Sequence, residues 1–362
     1  MNQAKRIVQI VPSLPPATCG VGDYAVLLAG EWSARDGVET DFLVANRSFP
    51  ESGSTGSLVL RSHSALELSA AIEESASPGD PVLLHYVGYG YQKRGVPFWL
   101  LRGIESWLKK DSKRRLGIFF HELYASGHSW TSAFWVSPLQ RWVCTRLANC
   151  ASHCFTNRTV SAQWLSAKNN RSASSIPVLP VFSNLGEPAV VDALESRKPQ
   201  VAVYGDVSRS IRNRDFAIKC LREVCLRLGL ERVVAFGKSA GAWADLGFPT
   251  EHRGVLTQND ASRLLMESRA AYLDYFDGYL GKSGIFAAYC AHGLLPILLW
   301  PNSSEQDGLF NKTHYIAASD PPPGLEYPDQ QAIADSARQW YIGHSRAKVA
   351  SAIAERLFPG TP

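Results

Sequence analysis

The sequence has no apolar stretch approaching the ~20 residues that a membrane-spanning helix needs. It also lacks the low hydrophobicity that keeps disordered chains from burying a core: 45% of its residues are hydrophobic and 19% charged. Its seven cysteines form an odd set without a regular framework, which in a chain of this size reads as reduced thiols rather than disulfides. Cys144, Cys150, His153 and Cys154 lie close together but lack the paired spacing of a zinc module, so buried thiols are expected there and no metal. The net charge of +4 is spread along the chain and is too small to call for nucleic acid, although it suits an anionic substrate or a lipid surface. Residues 1–11 run directly into a strand-like segment. A cytoplasmic location is therefore expected, with peripheral contact at the inner face of a membrane left open.

What is present is a repeated alternation. Short apolar runs are followed by polar turns and then by segments of helical period, the pattern of parallel sheets covered by helices. The runs predict strands over Arg6–Val11, Glu39–Val44, 81–86, 116–121, His153–Thr156 and 177–181. Helices are expected over 21–35, Ala65–Ser75 and 98–110. Around residues 184–200 the period lapses into Gly186, Pro188 and Pro199, after which 201–204 begins a second series. That series comprises a helix over 215–228, strands at Arg232–Phe236 and near 254–256, and a helix over 260–268. A strand over 271–275, a helix over 285–292 and a strand over 295–299 complete it. The expected class is α/β, doubly wound, with domains at 1–190 and 191–335 and a helical tail at 336–362 that can pack back on the first.

Gly20-Val-Gly22-Asp-Tyr-Ala25 satisfies the dinucleotide pattern G-x-G-x-x-G/A, and Asp41 lies near the expected acidic position. Against a dehydrogenase, residues 12–19 separate the strand from the first glycine, whereas the fingerprint needs its glycines in the strand-to-helix turn itself. A Pro-rich loop that runs into glycines at a helix N-terminus instead offers bare N–H groups to an anion. The plainer alternative is a turn that needs glycine for its backbone.

The order Val8–Val11, Pro12-Ser-Leu-Pro15 and Cys19-Gly-Val-Gly-Asp-Tyr-Ala25 resembles the opening of GT-B glycosyltransferases of the large family numbered four. The likeness continues through Phe119-Phe-His-Glu-Leu-Tyr124, Phe155-Thr-Asn-Arg158, Pro180-Val-Phe-Ser-Asn-Leu-Gly186, Val203-Tyr-Gly205 and the segment 284–296. It covers most of the chain, each motif being weak alone. The resemblance implies two Rossmann-like doubly wound domains facing a cleft, a nucleoside diphosphate sugar as donor, and a carbohydrate or lipid-linked acceptor. It implies no cofactor beyond that co-substrate and no metal.

Several residues then become candidates. His121 and Glu122 stand where a strand ends, and the resemblance places His121 beside the donor sugar as a catalytic group; a strand-capping histidine and a surface carboxylate are the alternatives. His85, Tyr86 and Tyr89 end another strand in an aromatic, glycine-rich run suited to stacking on a sugar or acceptor, or simply to packing. Gln92-Lys-Arg-Gly95 adds positive charge for a phosphate-bearing acceptor.

For the donor diphosphate the candidates are Gly20, Gly22, Arg209, Arg212, Lys238, Ser283 and Gly284. Arginine forks suit a diphosphate and take the place of Mg²⁺ in a metal-independent transferase, though basic turns are often only solvated surface. Phe236-Gly-Lys238-Ser-Ala-Gly241 is not a Walker loop, because G-x-x-x-x-G-K-[ST] is not satisfied. The chain departs from the family at Leu280 and Ala288, where relatives carry a pair of glutamates, one for the sugar and one for the ribose. Loss of a carboxylate removes a strong acceptor. Ser283, Gly284 and the following N–H groups are expected to bind phosphate in its stead, or Ser283 merely to cap the helix.

Overall fold

The computed structural model describes residues 5–46, 56–125, 130–169, 176–238, 246–300 and 305–358. The chain divides into two compact units, Met1–Pro180 with Arg346–Pro362, and Val181–Ser345.

In the first unit the elements run β1 (Arg6–Val11), α1 (Gly20–Asp36), β2 (Glu39–Val44), β3 (Ser57–Val59), α2 (Ala65–Ser75) and β4 (Val82–Tyr86). They continue with α3 (Gly88–Tyr91), α4 (Phe98–Lys109), β5 (Leu116–Phe120), α5 (Ser132–Cys150), β6 (His153–Thr156) and α6 (Thr159–Asn169). The strands form a parallel sheet in the order β3-β2-β1-β4-β5-β6. From β1 the chain winds one way to β3 and from β4 the other way to β6. The switch point, where doubly wound sheets gather ligands beyond the strand carboxyl ends, therefore lies between β1 and β4.

The second unit contains β7 (Lys198–Tyr204), α7 (Arg214–Arg227), β8 (Arg232–Phe236), β9 (Thr250–His252), α8 (Gln258–Glu267) and β10 (Ser268–Leu273). After these come α9 (Gly284–Ala291), β11 (Leu295–Leu298), β12 (Ile316–Ala317) and α10 (Tyr327–Ile342). Its parallel sheet has the order β12-β11-β10-β7-β8-β9, with the switch point between β7 and β10. The central strands are mostly buried because both faces are covered: β1 and β4 carry Val, Ile and Leu, while β7 and β10 are built more from Ala, Val and Tyr.

The last helix, α11 (Arg346–Leu357), belongs to the first unit. The fully buried Trp32 of α1 donates its indole N–H to the Ala350 carbonyl at 2.9 Å, and Arg35 donates to the Ala347 carbonyl at 2.8 Å. The first unit thus closes at Pro180 rather than at 190, and only α11, not α10, returns to it.

Two expected strands differ. Residues 177–181 make only a single bridge, Val178 with Thr156, because Pro177 and Pro180 have no N–H to donate to a ladder. The strand expected near 254–256 lies earlier, at Thr250–His252, and Gly254 turns the chain away at φ +60°. Of the clustered thiols two sit in the core, where Cys144 Sγ donates to the Leu123 carbonyl at 2.8 Å and Cys154 Sγ to that of Ala148 at 3.7 Å, while Cys150 is only half-buried.

Candidate functional site: two switch-point crevices

In the first unit, three polar side chains interrupt otherwise apolar strands at the switch point. Gln9 lies on β1, His85 on β4, and His121 directly after β5. Gln9 Nε2 donates to the Ala25 carbonyl at 3.5 Å, which turns Oε1 toward His85 Nε2, 2.6 Å away. A carbonyl oxygen only accepts, so the His85 proton sits on Nε2. Burial holds the His85 pKa down at about 3, and the ring is neutral. Its Nδ1 is then an acceptor, 3.1 Å from His121 Nε2, which must donate. The tautomer of His121 is thereby set from Gln9, with the proton on Nε2. Phe119 stacks on the His121 ring at 4.4 Å and Tyr24 meets its edge at 5.0 Å, which holds its plane. Asn157, after β6, donates to the His121 carbonyl at 3.5 Å.

This arrangement corrects the acceptor assignment. His85 and Tyr86 are fully buried, with both ring nitrogens of His85 engaged, so neither side chain can stack on a ligand. Of the three, only Tyr89 is exposed. With Lys93, Phe98 and Trp99 it lines an open depression of about 620 Å³. Glu122 is exposed and its backbone N–H reaches the Tyr86 carbonyl at 3.4 Å.

The loop after β1 explains its glycines by contact. A Cβ at Gly22 would lie 2.2 Å from the Ser13 carbonyl oxygen, whereas one at Gly20 would meet nothing within 4 Å. Cys19 caps α1, its Sγ accepting from Gly22 N at 3.4 Å and its carbonyl from Asp23 N at 2.9 Å. Of the four N–H groups that a helix start leaves without an intrahelical partner, that of Gly22 is thus used internally, and the half-buried Asp23 carboxyl, whose pKa burial raises, stands in the first turn. Asp41 is ion-paired with Arg6, which takes it away from the ribose role of a dehydrogenase.

In the second unit the loops after β7 and β10 interlock. Gly205 leaves β7 at φ +81°. Asp274, the residue after β10, accepts from Ser208 Oγ at 3.0 Å and from Arg209 N at 2.7 Å, so one carboxylate holds the β7 loop. The exposed Arg209 guanidinium lies 5.0 Å over the Tyr275 ring. Arg214 pairs with Asp206 at 3.6 Å at the start of α7, while Arg212 is exposed. The same crevice receives the N-terminus of α9: Ser283 Oγ accepts from Phe286 N at 3.3 Å, a capping bond, and Gly284 opens the helix beside Asn184. Lys238 is exposed after β8; Ser239 and Gly241 of its loop lie outside the described residues. Leu280 and Ala288, the positions without glutamate, are both buried.

Sequence reasoning passed over Gln9, Asp274 and Asn157. The available signal was a polar residue within or just after a buried parallel strand: Gln9 in RIVQIV, and Asp274 directly after SRAAYL.

No protein-family model and no curated protein matches the sequence. Solved structures match along its whole length. An E. coli trehalose-6-phosphate structure bound with UDP-2-fluoro glucose superposes with a TM-score of 0.62 at 12% identity, covering 99% of this chain and 100% of that one. The chain has the GT-B fold. The lipopolysaccharide outer core galactosyltransferase WaaB gives a TM-score of 0.59 at 13% identity, covering 98% and 100%. Anabaena HepE in complex with UDP gives 0.52 at 13%, covering 98% and 95%. At these identities the likeness establishes the GT-B architecture, two Rossmann-like units each built on a doubly wound parallel sheet.

Proposed function

We propose that the protein is a glycosyltransferase that moves a sugar from a nucleoside diphosphate sugar to an acceptor hydroxyl, without a metal and with retention of configuration. The observation that carries the reading is the Asp274-pinned loop of Arg209 at the β7/β10 switch point. A fixed, exposed guanidinium there suits a diphosphate whose charge grows as the glycosidic bond breaks. Arg212, Lys238 and the α9 N-terminus at Ser283–Gly284 supply further positive potential. The β-phosphate, as it leaves, takes the acceptor proton. In the first domain His121 serves the donor sugar, and Tyr89 and Lys93 meet a carbohydrate or lipid-linked acceptor. Structures of the same fold in complex with UDP or a UDP sugar support the donor class. We place the protein in the cytoplasm, in peripheral contact with a membrane and engaged in glycoconjugate or polysaccharide synthesis.

A second reading, a binder of nucleotide sugars without turnover, is favoured by the apolar residues Leu280 and Ala288. Incubation with a panel of nucleotide sugars, with and without carbohydrate acceptors, separates the two. Acceptor-dependent release of nucleoside diphosphate supports transfer. Release that needs no acceptor indicates hydrolysis, conversion to another nucleotide sugar without net release indicates epimerisation, and binding that leaves the donor unchanged leaves the silent binder.

A further inference from the structure

Helix α5 presents large apolar side chains to solvent. Trp135 is 72% exposed, and Leu139 and Trp142 are each 49% exposed. Positions 135, 139 and 142 are spaced four and three apart and share one helix face, which at 1.5 Å per residue is part of a helix about 28 Å long. Phe134 and Trp130 extend the patch at its N-terminal end, and Phe98 of α4 meets Trp142 edge-on at 5.9 Å. Aromatic side chains that could have been buried against the core are instead turned outward.

The stretch of sequence that contains this helix is basic. Between Glu122 and Glu187 the sequence contains no Asp or Glu, while Arg141, Arg146, Arg158, Lys168 and Arg171 fall in that interval. Arg141 lies 4.3 Å over the Tyr124 ring and Arg146 lies 5.7 Å over Trp142. The acidic neighbours are Glu105 of α4, already paired with Arg146, and Glu122. Lys93, beside Phe98 in the open depression, adds a further cation.

We propose that this α5 face docks the protein on an anionic lipid bilayer, with Trp135 and Trp142 in the headgroup layer. Tryptophan favours the membrane–water interface because its ring is apolar and its N–H polar, and flanking cations are drawn to anionic headgroups. A second copy of the chain is a poor occupant. A two-fold interface would set this largely basic face against itself, and its acidic neighbour Glu105 is already paired with Arg146. Nucleic acid matches the cations and not the aliphatic Leu139. No helix among the described residues is long and apolar enough to cross a membrane, so the face would lie on the bilayer rather than within it. The inference deepens the membrane contact of the preceding section and locates it.

Co-sedimentation of the full chain with vesicles tests it, in the absence of any nucleotide sugar. Vesicles of phosphatidylcholine with phosphatidylglycerol should bind the protein and shift its tryptophan emission to the blue, while phosphatidylcholine alone binds it weakly. The double variant Trp135→Ser/Trp142→Ser should lose about tenfold or more in partitioning, because two indoles no longer leave water. Both residues are exposed, so circular dichroism should report an unchanged fold. Failure to bind anionic vesicles, or equal binding by the variant, overturns the proposal. So does a concentration-dependent dimer that the variant abolishes. Because no donor is present, vesicle binding survives if the transferase reading fails, and donor binding survives if the docking face is wrong.

Discussion

His85 Nδ1 stands 3.1 Å from His121 Nε2, and the proton between them belongs to His121 because Gln9 Oε1 claims the far nitrogen of His85. One amide on the central strand thus decides which nitrogen of a histidine two strands away carries the proton. His85, read in the sequence as a ligand-facing residue, is a positioning residue: it acts through His121 and is itself closed to solvent.

Removing one member of this relay strands the others. His85→Leu should cost about 1–3 kcal/mol for each polar group left buried and unpaired, and Gln9→Leu should cost less because it strands only one. The double variant Gln9→Leu/His85→Leu should lose less than the sum of the two, with a coupling of roughly 0.5–3 kcal/mol in urea melts. Strict additivity would mean that the Gln9–His85 bond contributes nothing.

Acid should destabilise the fold in a defined window. An unfolded histidine takes up its proton near pH 6.5, and folded His85 takes one up only at about 3. Between those values the unfolded state binds more protons, so stability is complete above 6.5 and falls as pH drops toward 3. At pH 5 the loss from His85 is about 2 kcal/mol. His292, held by burial at about 4, and His344, at about 3, add to the same slope. Urea midpoints from pH 7 to pH 5 should fall, and fall less steeply in His85→Gln; parallel slopes would contradict a neutral buried His85.

The two glycines that open α1 should behave oppositely. Gly22→Ala forces a Cβ to 2.2 Å from the Ser13 carbonyl, a backbone atom that cannot rotate away, and should cost about 1–3 kcal/mol or more. Gly20→Ala meets nothing and should be neutral or slightly stabilising, since alanine favours a helix. Thermal melts of both variants check this, and equal melting temperatures would refute the close approach.

Much of the architecture was legible because strand and helix periods are local properties. β1, β2, β6, α2 and β8 occupy the spans their apolar patterns suggest. Helix α5 escaped notice because Pro138 interrupts its interior and its outward aromatics blur the amphipathic period. β3 and β12 are only three and two residues long and have too little sequence to show alternation. At the site, the sequence points to strand ends but not to which side chains turn inward. His85 and Tyr89 are four residues apart, yet one is sealed in the sheet and the other faces solvent. Asp274 was invisible because its role depends on β10 lying next to β7, a pairing of segments some seventy residues apart.

Asp274 should matter to ligand affinity more than to folding. Asp274→Ala frees Ser208 and the Arg209 backbone, so the guanidinium must be ordered anew when a diphosphate binds, and affinity should fall about three- to tenfold. Asp274→Asn keeps an acceptor oxygen and should lie between the two. A variant that unfolds outright would show the contact to be structural alone.

The most direct measurement is calorimetric titration of uridine, adenosine and guanosine diphosphates into the wild-type protein and into Arg209→Ala. Saturable binding of at least one nucleotide, weakened about tenfold or more in the variant while its melting temperature is unchanged, is the predicted result. No binding of any nucleoside diphosphate, or equal affinity in both proteins, would contradict a donor site at the β7/β10 crevice.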